Sequence, residues 1–185
     1  MRIVSLTEKD SDLLEQTASL LYHSFKTNWP AGWPDMEAAR IEVRESLPAE
    51  RISRVALDEK DHVIGWIGGQ FIYDGNVCEV HPLAVDQKHR GQGVGRALIN
   101  DLEEVAGSRG AVTLWLGTDD ENAMTSLSGV NLYENLFEQL KNIKDFKGHP
   151  FAFYQKVGFQ IVGVLPDANG VGKPDIYMAK PIGCR

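Results

Sequence analysis

The most informative stretch of the chain is Glu79–Gly95, which reads EVHPLAVDQKHRGQGVG. It begins as an apolar strand, passes through a glycine-rich turn and opens an amphipathic helix. Successive side chains of a strand point to opposite faces, so Glu79 and His81 are expected to project to the same side. A carboxylate and an imidazole at one end and an anion-binding turn at the other suggest an enzyme with a phosphate-bearing cofactor.

The glycine turn has the properties of an anion site. Glycines let the backbone approach a ligand closely, and the first N–H groups of a helix have no partner within it. The helix dipole favours a pyrophosphate there, and Arg90 and Arg96 can add charge-assisted hydrogen bonds. No Lys-Ser/Thr pair follows, and the spacing is not Gly-x-Gly-x-x-Gly, so neither common nucleotide motif is met. A turn without a ligand is the alternative.

Three ionisable residues are candidates for catalysis. Glu79 is a candidate general base, with His81 as a helper that orients water or substrate. The alternative is a structural ion pair at a strand end. Tyr154 lies on a predicted short helix, turned away from Phe153 and Val157, and its hydroxyl can act as an acid. A packed tyrosine with a hydrogen-bonded hydroxyl is the alternative.

Composition limits the classes of protein to which the chain can belong. The chain has 185 residues, 43% of them hydrophobic and 24% charged, which is typical of one soluble domain. No apolar run approaches the length of a membrane span, and no signal-peptide pattern follows Met1–Leu6. With only Cys78 and Cys184, a disulfide framework is not expected, and the cytoplasm is the predicted compartment.

Charge and motif spacing exclude several functions. The net charge of −7 argues against a nucleic-acid binder and is compatible with a cationic substrate, although mild acidity also serves solubility. The histidines and cysteines lack metal-ligand spacing, so no metal site is predicted. No Gly-x-Ser-x-Gly motif is present, which disfavours a serine hydrolase.

Apolar periodicity predicts a single α/β domain over residues 1–185. The predicted strands cover residues 2–6, 52–57, 62–73, 77–85, 112–116, 159–165 and 175–179. The predicted helices cover residues 13–21 after a cap at Asp10 or Ser11, 35–46, 93–106, an extra helix near 128–144, and a short helix from Pro150 to a left-handed cap at Gly158.

Two groups of residues are candidates for a binding pocket. The aromatic residues Trp29, Trp33 and Tyr73 either wall a pocket or belong to the core. The acidic residues Asp119, Asp120 and Glu121 follow a strand end, where ligand sites of α/β proteins gather. They either attract amines or form a solvated loop.

Two motifs resemble those of the GNAT acetyltransferases. The run Val85–Leu98 resembles their acetyl-CoA-binding motif, Arg/Gln-x-x-Gly-x-Gly/Ala, with Arg90, Gly93 and Gly95 at the defining positions. The run Phe153–Phe159 resembles their second motif, a short helix that leads into the next strand. The resemblance implies an α/β fold of the GNAT type, with a central mixed, mostly antiparallel twisted sheet flanked by helices.

A narrower resemblance is to the chromosomally encoded, dimeric aminoglycoside 6′-N-acetyltransferases, and it implies a homodimer. The predicted extra helix lies where that group has an insertion. The segments that resemble it are Glu79–Leu83, Leu116–Asp120, His149-Pro150 with Phe153-Tyr154, Val162–Gly170 and Lys173–Lys180.

The resemblance implies a role for each candidate. Acetyl would pass from acetyl-CoA directly to an amine, with Glu79 as base through water, His81 assisting and Tyr154 protonating the departing thiolate. Backbone groups at Leu83, Ala84 and Val85 would bind the pantetheine arm and polarise the thioester carbonyl. The pyrophosphate would be held by Arg90, Gly91, Gln92, Gly93, Val94, Gly95 and Arg96. The candidates for contact with the polycationic sugar are Trp29, Tyr73, Glu79, Asp119 and Asp175.

The sequence therefore predicts acetyl transfer to a primary amine, the 6′-amine of an aminoglycoside. Acetylation of another amine, such as a polyamine or a protein N-terminus, stays open. A non-catalytic acetyl-CoA-binding regulator is the third possibility, but it would need none of Glu79, His81 and Tyr154.

Overall fold

The computed structural model describes residues 1–27 and 29–183. Asn28, Cys184 and Arg185 lie outside these residues, and so does the second cysteine on which the prediction about disulfides rests. The described chain groups into two compact units, Met1–Leu114 with Ile182 and Gly183, and Trp115–Pro181. The single domain over residues 1–185 stays a prediction.

The first unit contains four strands and three helices. They are β1 (Arg2–Ser5), α1 (Ser11–Phe25), α2 (Met36–Glu45), β2 (Arg51–Leu57), β3 (Val63–Ile72), β4 (Val77–Val85) and α3 (Val94–Ser108), with a short 3₁₀ turn at Gln87–His89 before α3. The strands pair antiparallel in the order β1-β2-β3-β4. The predicted bounds of β4 are confirmed at both ends.

Helices α1 and α2 share an apolar core with one face of this sheet. Leu21 of α1 and Val43 of α2 pack in one cluster with Val55, Trp66 and Ala84 from the strands. The Trp66 indole is fully buried and donates a hydrogen bond to Ser53 Oγ at 3.0 Å, so its polar atom is satisfied.

Helix α3 covers the opposite face. A Cβ atom on Gly65 would lie 2.8 Å from Leu98 Cδ1, and one on Gly69 would lie 2.8 Å from Leu102 Cδ1. The absent side chains therefore let the helix approach β3 closely. The Arg54 guanidinium of β2 holds the same helix through two hydrogen bonds of 2.7 and 2.8 Å to the Asp101 carboxylate.

The second unit contains three strands and two short helices. They are β5 (Thr113–Asp119, from Trp115 onward in this unit), α4 (Leu136–Lys141), α5 (Pro150–Lys156), β6 (Gln160–Leu165) and β7 (Asp175–Pro181). Strand β7 lies between β5 and β6 and is antiparallel to β6. The rings of Trp115 and Tyr177 contact each other at 5.4 Å between centroids.

The predicted extra helix at 128–144 is wrong in extent, because α4 has only six residues. Asn131 Oδ1 accepts the N–H of Tyr133, which forms a turn instead of a helix start. Asn135 then takes a left-handed conformation at φ 56°, and the helix begins after it. The leucine spacing continued across these breaks, but local side-chain hydrogen bonds to the backbone were preferred.

Two smaller predictions also need correction. The cap position Asp10 is right, but its carboxylate accepts from Thr7 rather than from a helix N–H. Strand β5 continues three residues beyond the predicted Leu116, which makes Asp119 its last residue. Within the described residues, no helix is long and apolar enough to cross a membrane.

The predicted short helix begins at Pro150, and the structure adds that His149 caps it. Its Nδ1 accepts the N–H of Phe151 at 3.2 Å, and its Nε2 lies 3.1 Å from the Asp119 carbonyl oxygen. Burial lowers the pKa of His149 below its ordinary value of 6.5, although the Asp119 carbonyl and the nearby carboxylates act in the opposite direction. The folded protein therefore keeps this imidazole neutral, with its hydrogen on Nε2.

We predict that this cap makes stability depend on pH. The unfolded chain binds a proton on His149 at a higher pH than the folded chain, so stability is complete above about pH 6.5 and is lost as the pH falls below it, by at most about 1.4 kcal/mol per pH unit. The substitution His149→Asn keeps a capping acceptor without a titrating group. Its urea-unfolding free energy should lack this part of the decline between pH 7 and 5, and parallel curves for the two proteins would contradict the assignment.

Candidate functional site

A bulge in β4 lies at the centre of the candidate site. The pairing of β3 with β4 shifts between Ile67 and Gly69, because β4 carries one extra residue at His81-Pro82. The peptide bond between these two residues is cis. Gly68 lies opposite, and a Cβ atom there would collide with the His81 carbonyl group. Only glycine fits this position of β3.

Because of the bulge, odd-numbered side chains of β4 face one side of the sheet before it and the opposite side after it. Before it, Cys78 is buried on the side of α3, so Glu79 projects to the side of α1 and α2. After it, Ala84 belongs to the core under α1 and α2, so Leu83 and Val85 project to the side of α3. Burial raises the pKa of the Cys78 thiol to about 12, which makes it an inert core residue.

The surroundings of His81 include a residue that sequence analysis missed. The imidazole is 53% exposed, its Nε2 lies 3.8 Å from Glu42 Oε1, and its ring centroid is 6.0 Å from that of Trp33. Glu42 Oε2 accepts a hydrogen bond from Trp33 Nε1 at 3.3 Å. Glu42 lies on an ordinary amphipathic helix, so no local pattern marked it. Glu79, two residues before His81, is half-buried.

The predicted aromatic residues separate into two groups. Trp29 and Trp33 both contact Phe25, at 5.9 and 4.8 Å between ring centroids. Trp33 packs on the core and also reaches His81, so it combines the two roles that the sequence left open. Tyr73 is instead 77% exposed in the β3–β4 hairpin turn, with φ at 51°, and it is not part of the described aromatic group.

Side chains in and before the glycine turn fix its shape. Asp86 Oδ1 accepts from the Lys88 N–H at 3.0 Å and lies 2.8 Å from His89 Nδ1. Arg90 Nε donates to the Val85 carbonyl at 3.2 Å, and Gln92 Nε2 donates to the Lys88 carbonyl at 2.7 Å. The loop from β4 to α3 is therefore preformed, because its side chains make hydrogen bonds to its own backbone.

The glycines themselves leave room for a ligand. Gly91 and Gly93 have φ values of 74° and 88°, in the left-handed region that favours glycine. A Cβ atom on either would meet nothing within 4 Å, so open space adjoins the backbone. Gly93 begins α3 without a side-chain cap, and no acidic residue lies in the first turn. Together with the exposed Arg96, this helix start suits a diphosphate group.

Tyr154 belongs to the second unit. Its ring makes edge contacts with Phe153 and Phe159, at 5.2 and 5.5 Å between centroids. Burial raises the pKa of its hydroxyl well above its ordinary value, so the group keeps its proton at neutral pH. This is the protonation state that an acid requires.

The second unit also brings the candidate carboxylates Asp119 and Asp175 together. Asp119 Oδ1 accepts from Asn169 Nδ2 at 2.5 Å. The Asp175 carboxylate lies over Gly117, where a Cβ atom would be 2.5 Å from Oδ2. The pKa of Tyr177 is raised by burial first, and then by the charges of Asp175 and Asp119, which places both carboxylates near one phenol. Sequence analysis did not identify Tyr177.

Asp120 is neither an amine-binding residue nor part of a solvated loop. It is fully buried, and its carboxylate accepts the N–H groups of Met124 and Thr125 at 2.7 and 2.8 Å. It therefore shapes the chain after β5. Among residues 1–27 and 29–183, no group of three His, Cys, Asp or Glu side chains is arranged to hold a metal ion.

Comparison with known proteins identifies similar structures. An aminoglycoside 6′-N-acetyltransferase solved in complex with coenzyme A is 40% identical, with a TM-score of 0.92, over 100% of this chain and 99% of that chain. An aminoglycoside 6′-N-acetyltransferase from Enterococcus faecium is 38% identical, with a TM-score of 0.90 and the same coverage of both chains. These similarities confirm the predicted α/β fold.

A curated relative extends well beyond this chain. An uncharacterized protein of Mycobacterium leprae is 32% identical over 185 residues, which is 96% of this chain but 40% of the relative. The chain thus spans about two fifths of that relative's length. Residues 18–137 match the sequence profile of the acetyltransferase (GNAT) family. Since this match covers more than half of the sequence, the chain belongs to the GNAT acetyltransferase family.

Proposed function

We propose that the protein transfers acetyl from acetyl-CoA directly to a primary amine, the 6′-amine of an aminoglycoside. The observation that carries the proposal is the continuity of one segment. Glu79 lies before the β4 bulge, and the same strand leads into the glycine turn and the uncapped start of α3. Full-length similarity to two aminoglycoside 6′-N-acetyltransferases supports the choice of substrate.

The described residues of the first unit fit the cofactor. Residues 90–96 offer helix-start N–H groups, two arginines and open space at Gly91 and Gly93, which suits a pyrophosphate. The backbone of Leu83, Ala84 and Val85, just after the bulge, is assigned to the pantetheine arm. Bound acetyl-CoA supplies the activated thioester carbonyl.

The chain's ionisable side chains then move two protons. A substrate amine is mostly protonated at neutral pH and must lose a proton before it attacks. Glu79 accepts that proton through water, and His81 assists. As the C–N bond forms and the C–S bond breaks, Tyr154 gives its phenolic proton to the leaving thiolate. The second proton that the nitrogen loses on becoming an amide passes to solvent, and solvent returns a proton to the Tyr154 phenolate. A phenol holds its proton at neutral pH, so Tyr154 has a proton to give.

The proposed substrate contacts are acidic and aromatic. Asp119 and Asp175 are assigned to ammonium groups of the sugar, together with Glu79, while Trp29 and Tyr73 are assigned to its rings. The net charge of −7 attracts a polycation. Because each acetylation removes a positive charge from an aminoglycoside, we infer an activity of the antibiotic-resistance type. The carboxylates suit a polyamine equally, so a polyamine is the second candidate.

We also propose a homodimer in the cytoplasm. Phe137 of α4 is 82% exposed, and Tyr133 and Phe146 are 73% and 61% exposed, which is unusual for aromatic side chains of a monomer. Sedimentation of the purified chain as a monomer would contradict the dimer. The low cysteine content supports the cytoplasmic location.

A thiol-release assay with acetyl-CoA tests the function. The enzyme should release coenzyme A when it is given an aminoglycoside with a 6′-amine, and it should not when the aminoglycoside has a 6′-hydroxyl instead. Faster release with polyamines would favour the second candidate. No release with any amine would favour a regulator that only binds the cofactor.

Glu79→Gln should lower kcat by about 100-fold, because the amide cannot accept the amine proton. The dissociation constant for acetyl-CoA, measured by calorimetry, should stay within about twofold of the wild-type value, since the base acts on the amine. If turnover stays at the wild-type level, Glu79 is not the base.

Gly93→Ala should weaken acetyl-CoA binding by about tenfold, because an alanine at φ 88° strains the turn by about 1–2 kcal/mol. Gly110→Ala is the matched control, since Gly110 also has a positive φ, 99°, and open space around its Cβ position, but it follows the other end of α3. Calorimetry should show normal affinity for the control. Equal losses in both variants would mean that strain alone, and not the turn, weakens binding.

A further inference from the structure

We propose that Glu42 is a positioning residue that fixes the orientation and tautomer of His81. The inference rests on the proposed function, because it gives His81 its part in the reaction. It assigns a role to helix α2 and to Trp33 in the segment before it, neither of which belongs to the GNAT motifs.

The two carboxylate oxygens of Glu42 face different partners. Oε2 accepts the hydrogen bond from Trp33 Nε1 at 3.3 Å, which sets the rotation of the carboxylate. Oε1 then lies 3.8 Å from His81 Nε2, a distance for an electrostatic contact rather than a direct hydrogen bond. The Glu42 side chain is only 19% exposed, so solvent screens this contact weakly.

The anchor of this arrangement is the first unit's core. Phe25 meets Trp33 edge-on at 4.8 Å between ring centroids, and both pack against the apolar cluster under α1 and α2. Trp33 in turn lies 6.0 Å from the His81 ring. The imidazole is therefore bordered on one side by a fixed indole and a fixed carboxylate, while 53% of its side chain remains exposed.

A carboxylate beside Nε2 favours the tautomer with hydrogen on Nε2, because a lone pair there would face negative charge. Nδ1 then carries the lone pair and can accept a hydrogen bond. Glu42 acts through His81 and is assigned no contact with the reacting atoms. The same logic orients the histidine of hydrolase triads.

The test uses Glu42→Gln, alone and combined with His81→Ala. The amide oxygen should stay with the Trp33 indole, which turns the amide NH₂ toward Nε2 and favours the opposite tautomer. We expect kcat to fall about tenfold with the KM for acetyl-CoA unchanged. In the His81→Ala background the same substitution should have no further effect. Glu45→Gln, which removes an exposed carboxylate from the same helix, should keep the wild-type kcat.

Imidazole ¹⁵N NMR gives a readout that does not depend on activity. His81 should show the Nε2–H tautomer in the wild type and the Nδ1–H tautomer in Glu42→Gln. An unchanged tautomer, or an additive loss of kcat in the double variant, would overturn the proposal. If the wild type releases no thiol with any amine, the proposed function fails, while the NMR comparison still decides whether Glu42 controls His81.

Discussion

The candidate site depends on one steric constraint, the bulge that β4 makes opposite Gly68. An ordinary antiparallel pair would keep all odd-numbered side chains of β4 on one face. The extra residue at His81-Pro82 ends that alternation. A side chain at position 68 would prevent the bulge, because it would collide with the His81 carbonyl. As a result Glu79 faces the side of α1 and α2, while Leu83 and Val85 face the side of α3.

The two faces of the sheet therefore carry different parts of the candidate site. On the side of α3, missing side chains at Gly65 and Gly69 let the helix lie close to β3, and its uncapped start at Gly93 opens toward solvent. On the other side, α1 and α2 form an apolar core whose rim carries Trp33 and Glu42 beside His81. One strand thus joins an anion site to a group of ionisable side chains without a long connecting loop.

Local patterns predicted most of this framework. The placement of Glu79 and His81 on one side of β4, the helix after Gly93 and the short helix from Pro150 all rest on interactions within a few residues, which sequence spacing reports directly. The prediction of a long helix at 128–144 was wrong because leucine spacing was weighed without the Asn131 side chain and the left-handed Asn135. Asp120 was misjudged because its exposure depends on the chain that folds over it.

The sequence by itself determined the GNAT family, the order of the elements and the glycine turn, since these follow from residue type and spacing along a single segment. The tertiary structure alone decided which side chains share a surface. Glu42 approaches His81 across 39 positions of sequence, and Asp119 at the end of β5 lies near Tyr177 of the neighbouring strand β7. Such contacts are created by packing between elements, and no periodicity within either element records them.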